Sequence, residues 1–85
     1  MKITNELLEQ MKLLYAPIER LGLGVRAYNA LKRVGVRNVF DLLVLFPDDI
    51  ENIRNLGEKG IRDVKRTLKD YGIDVEALKD ETTAD

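Results

Sequence analysis

Glycine and proline cut this chain into pieces too short for any long helix. Pro17, Gly22, Gly24, Gly35, Pro47, Gly57 and Gly72 recur along it, and between them apolar residues fall at the 3.6-residue period of an amphipathic helix, not at the two-residue period of a strand. A chain so punctuated can bury its apolar faces only by packing short helices on one another. Ile3, Leu7, Leu8, Met11, Leu14 and Tyr15 predict a helix over residues 5–15, with Thr4 as N-cap and Ile3 and Leu8 placed to staple its start. Pro17 ends it, and residues 18–23 form a short turn before Gly24, which is tolerated as an N-cap. Residues 25–34 predict a second helix that buries Val25, Ala27, Tyr28 and Leu31 and stops at Gly35. Asn38 caps a third over residues 39–45, and Pro47 suits the first turn of a short fourth that stops near Arg54, with Asp48 and Asp49 against its positive end. The last helix runs from about Glu58 to Tyr71, burying Ile61, Val64 and Leu68, and Gly72 closes it. The fold class is therefore all-α: a compact bundle of four to five short helices.

At 85 residues there is room for one core. The segmentation is an N-terminal helix or linker over residues 1–16, a helical domain over 17–75, and a polar tail over 76–85 that is expected to fray. Cysteine and histidine are both absent, which removes disulfides and the usual zinc ligand sets, so no cofactor or metal is expected. No apolar run reaches the roughly 20 residues of a membrane span, and the start does not read as a signal peptide. A cytoplasmic protein is expected.

A formal net charge of −1 argues by itself against nucleic acid. The charge is segregated, however. Residues 20–37 hold Arg20, Arg26, Lys32, Arg33 and Arg37 and no acid, and residues 38–53 hold only the acids Asp41, Asp48, Asp49 and Glu51. Residues 54–69 return to basic, with six cations against Glu58 and Asp63, and residues 70–85 reverse again. Such blocks give faces of opposite sign; solvated helix surfaces are the ordinary alternative.

An internal repeat bears on that choice. A shift of 33 positions lays Leu23-Gly24-Val25-Arg26-Ala27-Tyr28 over Leu56-Gly57-Glu58-Lys59-Gly60-Ile61, and Leu31-Lys32-Arg33 over Val64-Lys65-Arg66. Each copy puts a glycine at a hairpin that opens a helix, where unpaired backbone N–H groups and the positive end of the helix face outward. A basic residue, Arg26 or Lys59, follows two positions later. Either turn alone reads as a tight turn beside a solvated cation. The repetition points to a helix-hairpin-helix pair that holds two phosphate strands through the main chain.

The stretch Pro17-Ile18-Glu19-Arg20-Leu21, then Leu23-Gly24-Val25-Arg26-Ala27-Tyr28-Asn29-Ala30-Leu31-Lys32-Arg33, then Asn55-Leu56-Gly57-Glu58-Lys59-Gly60 resembles the C-terminal domain of the bacterial RNA polymerase alpha subunit over roughly residues 17–75. The resemblance implies a helical DNA-binding transcription module, with two helix-hairpin-helix elements, that contacts the minor groove of A/T-rich double-stranded DNA upstream of the promoter core. It implies a DNA surface at Leu23, Arg26, Asn29, Ala30, Gly57, Lys59, Gly60 and Asp63. Arg26 suits a narrow A-tract groove, where negative potential is strongest, and Asn29 lies one turn further along. Ala30, Gly60 and Asp63 stand where family members often carry Cys, Ser and Glu; at Gly60 the missing hydroxyl leaves the main-chain N–H to serve the phosphate. The implied partners are the other RNA polymerase subunits, the sigma factor through Glu19, Arg20 and Gly22, and transcription activators through Asp48, Asp49 and Glu51. Arg20 puts a positive charge where the sigma surface is usually acidic, and helix-dipole stabilisation is the alternative reading of the Asp48 block. The implied setting is the bacterial cytoplasm, in association with the nucleoid.

Two other readings compete: a sequence-independent helix-hairpin-helix module of a repair protein, and a protein-interaction domain whose hairpins are only structural. An enzyme is disfavoured, since adjacent Asp48 and Asp49 diverge by about 100° on a helix and no Ser, His or Cys nucleophile accompanies them. The domain by itself reads as non-catalytic, although the polymerase it resembles a part of is an enzyme.

Overall fold

A computed structural model of the protein describes residues 3–77. Among them lie the α-helices α1 (Asn5–Tyr15), α2 (Val25–Arg33), α3 (Val39–Leu43) and α4 (Gly57–Asp70), with 3-10 helices at Ile18–Leu21 and Asp49–Asn52, and residues 75–77 are again helical. No helix is long and apolar enough to cross a membrane among these residues. The all-helical expectation holds.

The polar side chains expected to start helices do so. Thr4 Oγ1 accepts from Leu7 N at 3.1 Å, and Asn38 Oδ1 accepts from Asp41 N at 2.8 Å. The Asp41 carboxylate in turn accepts from Arg37 N at 3.0 Å, so two otherwise unpaired donors are satisfied at one helix start. At the other ends, Val36 N donates to Leu31 O at 3.1 Å and Ile73 N donates to Leu68 O at 2.9 Å. Gly35 and Gly72 sit between, both at positive φ, so α2 and α4 close with the same left-handed cap.

Several local expectations are corrected. Val25 is 76% exposed, not buried. The face of α2 that enters the core is Ala27, Ala30 and Leu31, and at about 100° per residue Val25 points away from it. Ile3 and Leu8 are both exposed and do not bury a staple. Helix α3 ends at Leu43, with turns through residues 44–48. Pro47 precedes the Asp48 cap of a four-residue 3-10 helix and so lies outside its first turn. Pro17 and Asn38 form an isolated antiparallel bridge. Proline has no N–H, so its neighbours carry the bonds: Val39 N to Ala16 O at 3.0 Å and Ile18 N to Arg37 O at 3.1 Å.

Ile18, Leu31, Val39, Leu42, Ile50, Val64 and Leu68 are the largest fully enclosed side chains. They come from both 3-10 helices and from three of the α-helices, and each stabilises the fold by roughly 1.5–3 kcal/mol of apolar burial before ordering costs. Ile61 is only half-buried. Helix α1 contributes no buried residue but packs on α3, with Leu14 against the core. The packing extends past Ile73: Val75 is buried, Asp74 Oδ1 accepts from Glu76 N at 3.0 Å, and Glu76 meets Lys65 Nζ at 2.9 Å. Of the tail expected over 76–85, residues 78–85 lie outside the described residues.

Candidate nucleic-acid interface

The two repeat copies are brought together, with α2 packed against α4. Their hairpins are alike at one position and unlike at the next. Gly22 and Asn55, which the 33-residue shift superimposes, have φ of +68° and +71°. The glycine pair differs, since Gly24 is extended at φ −60° and ψ 156° whereas Gly57 is left-handed at φ +69°. Gly57 is thus required by its backbone. Gly24 is required neither by its backbone nor by neighbours, because a Cβ built on it meets nothing within 4 Å.

Neither helix start is capped by a polar group from a side chain. In α2 the intrahelical ladder begins with Tyr28 N donating to Gly24 O at 2.9 Å, so the amides of Val25, Arg26 and Ala27 have no intrahelical acceptor. In α4, with Leu56 at the cap, the corresponding free amides belong to Gly57, Glu58 and Lys59. The Gly60 N–H makes no hydrogen bond to Leu56 O, whereas the matching bond from Tyr28 N to Gly24 O is formed in α2. Gly60 also has a packing role. A Cβ there would stand 2.8 Å from Leu56 Cδ1, and Leu56 is buried.

Two adjoining grooves lie between the hairpins. One is lined by Gly24, Val25, Arg26 and Ala27 from α2 and its hairpin, and by Leu56, Lys59, Gly60 and Asp63 from α4 and its own. The other runs along α2 past Val25, Arg26, Asn29, Ala30 and Arg33, with Asn55 opposite. Arg26 lines both. Of the residues expected from sequence, Arg26, Asn29, Ala30, Lys59, Gly60 and Asp63 are gathered here. Leu23 is half-buried against the core, and Gly57 opens on the other side of α4, beside Glu51, Glu58 and Arg62. Val25, Arg33 and Asn55 line the grooves as well, although sequence reasoning missed them. Helical spacing from Arg26 and Asn29 pointed to Arg33, and the repeat alignment to Asn55; Val25 was hidden by its apolar character.

Arg26 and Lys59 are exposed, and neither forms a salt bridge with a described residue. Asp63, the one carboxylate on these groove walls, meets Arg66 NH2 at 3.2 Å, which offsets part of its charge. Glu19 is also engaged. It accepts from the Tyr28 hydroxyl at 2.6 Å and lies 3.4 Å from Lys32 Nζ. The Tyr28 hydrogen bond, chiefly, holds the Glu19 carboxyl below its ordinary value of 4.5, and the same bond raises the Tyr28 phenol. Arg20 shares that face, its carbonyl accepting from the Tyr71 hydroxyl at 3.0 Å. Asp48, Asp49 and Glu51 are exposed, and no salt bridge to a described residue engages them.

Residues 4–70 match the family of C-terminal domains of the bacterial RNA polymerase alpha subunit. The protein belongs to this family. The match starts at residue 4 and takes in α1, which lies outside the motifs that carry the resemblance. Among its relatives, the DNA-directed RNA polymerase subunit alpha of Desulforudis audaxviator is 41% identical over 73 residues, covering 86% of this chain and 23% of that protein. The subunit of the same name from Mycoplasmoides gallisepticum is 47% identical over 62 residues, or 73% of this chain and 19% of that protein. The sequence thus spans about a fifth of the length of the alpha subunits it matches.

Proposed function

We propose that this alpha C-terminal domain is a non-catalytic DNA-binding transcription module of RNA polymerase, working in the bacterial cytoplasm at the nucleoid. It contacts the minor groove of A/T-rich promoter DNA through its paired hairpins. The observation that carries this reading is Gly24. A glycine that neither its φ nor its neighbours require, set in front of uncapped amides and beside an exposed arginine, fits a surface approached closely by another backbone. Arg26 enters the groove, where a narrow A-tract concentrates negative potential. Asn29 reaches a groove-floor acceptor or a phosphate, and Lys59 and the free amides of both hairpins take the flanking strands. Leu23 and Gly57 shape the two turns, Ala30 and Gly60 keep the walls low, and Arg66 offsets part of the Asp63 charge that would repel the phosphates.

Activators dock on Asp48, Asp49 and Glu51. Helix-dipole stabilisation is a weak account of these carboxylates, because a four-residue 3-10 helix aligns too few peptide dipoles to form a strong positive end. Sigma contact at Glu19, Arg20 and Gly22 has less to offer. The single carboxylate there is already held by Tyr28 and Lys32.

Titrating the protein with A-tract and G/C-rich duplexes across a salt series tests the reading. With about three phosphates neutralised, log K should fall against log[salt] with a slope of roughly −2.7, and the A-tract should bind more tightly. Equal affinity for both duplexes would instead assign the sequence-independent helix-hairpin-helix role. No binding at low salt would leave protein interaction through the acidic surface.

A further inference from the structure

The groove along α2 carries more cationic character than the paired hairpins need. Its walls hold Arg26, Asn29, Arg33 and Asn55 and no carboxylate, whereas the neighbouring groove contains Asp63 and the one beyond Gly57 contains Glu51 and Glu58. Arg33 is exposed and forms no salt bridge with a described residue. The adjacent Lys32, in the same last turn, is engaged by Glu19. Asn55, held at φ +71°, lines the same groove. Its repeat counterpart is Gly22, so the same left-handed position is filled there without a side chain. Asn accepts the left-handed region at some cost, and here it adds an amide to a groove that already has two guanidinium groups.

Geometry assigns a ligand to that arrangement. Arg33 is seven residues from Arg26, two turns along the same face, or about 10 Å at 1.5 Å per residue. A minor groove is only about 6 Å wide. With Arg26 inside the groove, Arg33 therefore stands over its rim, where the phosphodiester backbone runs. We propose that Arg33, with Asn55 beside it, forms a further phosphate subsite that extends the duplex contact one phosphate beyond those held at the hairpins. This inference rests on the DNA-binding reading above. It makes Arg33 a determinant of affinity and salt sensitivity, not of sequence preference, because a phosphate is the same beside every base.

The test compares the full chain with Arg33→Ala, Arg33→Lys and Arg26→Ala on A-tract and G/C-rich duplexes between about 50 and 200 mM salt. Arg33→Ala should weaken both duplexes alike and lower the slope magnitude by about 0.9, so that over this roughly fourfold range of salt it loses about threefold less affinity than the parent. Its A-tract preference should stand, and Arg33→Lys should restore the slope. Phosphate-ethylation interference on the parent should reveal one sensitive phosphate at the rim that disappears with Arg33→Ala. A parental slope and an unchanged interference pattern in Arg33→Ala, with Arg26→Ala defective, would overturn the subsite and leave the hairpin reading in place. Arg33 would then be a last-turn cation, seen as a lowered melting temperature in Arg33→Ala. If the parent binds neither duplex, the hairpin reading fails and the subsite falls with it.

Discussion

Replacing the two hairpin glycines one at a time separates a folding role from a contact role, because the repeat puts them at matching positions with different backbones. Gly24 is extended, and a Cβ on it meets nothing within 4 Å. Two small effects on stability then oppose each other in Gly24→Ala. The unfolded state loses freedom, stabilising the fold by about 0.4–1 kcal/mol. Alanine is a poorer N-cap than glycine, at a cost of roughly 0.5–1 kcal/mol. The net lies within about 0.5 kcal/mol of zero, so the melting temperature should stay within about 4 °C of the parent. Gly57 is at φ +69°, where alanine costs roughly 1–2 kcal/mol, and Gly57→Ala should melt about 4–16 °C lower. On DNA the new methyl of Gly24→Ala stands in front of the α2 amides. Displacing a phosphate from a charge-assisted hydrogen bond of about 1.5–3 kcal/mol lowers affinity by roughly 10- to 150-fold. Thermal circular dichroism and fluorescence anisotropy on an A/T-rich duplex read the two quantities. Parental affinity in Gly24→Ala would refute the idea that a nucleic-acid backbone approaches this turn.

Arg26→Ala should cost about 1–3 kcal/mol on A/T-rich duplex and flatten the preference over G/C-rich duplex, whereas Lys59→Ala should weaken both alike and cut the salt slope by roughly 1; parental binding by both variants would make the hairpins structural. Deleting residues 1–15 removes α1 from α3 and Leu14 from the core, and it should lower the melting temperature by several degrees. Sedimentation of the same truncation shows whether the exposed Leu8, Met11 and Tyr15 hold a second copy; unchanged stability and mass would reduce α1 to a linker. The Glu19–Tyr28 bond predicts a pH dependence at both extremes. The folded Glu19 carboxyl lies below its ordinary 4.5, so its contribution is present above that value and fades as pH falls through the folded pKa. The folded Tyr28 phenol lies above its ordinary 10.0, so its contribution is present below that value and fades as pH rises through the folded pKa. Tyr28→Phe should flatten both limbs of a stability-against-pH curve, and a curve unchanged from the parent would show that the bond carries no weight in solution.

Local chemistry was legible in the residues. Thr4 and Asn38 as caps, Gly35 and Gly72 as stops, and the helical period of Val64 and Leu68 each depend on a few neighbours in sequence, and the structure has all of them. The 33-residue repeat was equally legible, and it superimposes Gly22 and Asn55, two residues with the same left-handed backbone. Most of the groove residues could be named for the same reason: a basic side chain two positions after a hairpin glycine is a local pattern, and the family motifs supplied the rest.

Contacts between distant segments could be settled only by the packed fold. Val25 looked like a core residue because apolar character does not say which side of a short helix turns inward; the packing of α2 against α4 turned Ala27, Ala30 and Leu31 inward and left Val25 in the grooves. The packing role of Gly60 was not visible in the residues, because it needed the fold to set the missing Cβ against the Leu56 side chain. The engagement of Glu19 by Tyr28 and Lys32 needed the turn at Gly22 to fold one helix back over the next. Sequence patterns therefore determined where α1 and α3 start and where α2 and α4 stop, since capping and period act within a turn or two. The tertiary structure decided which faces meet, because that depends on apolar areas summed over segments tens of residues apart, and so it alone joined Arg26, Asn29, Arg33 and Asn55 into one carboxylate-free groove.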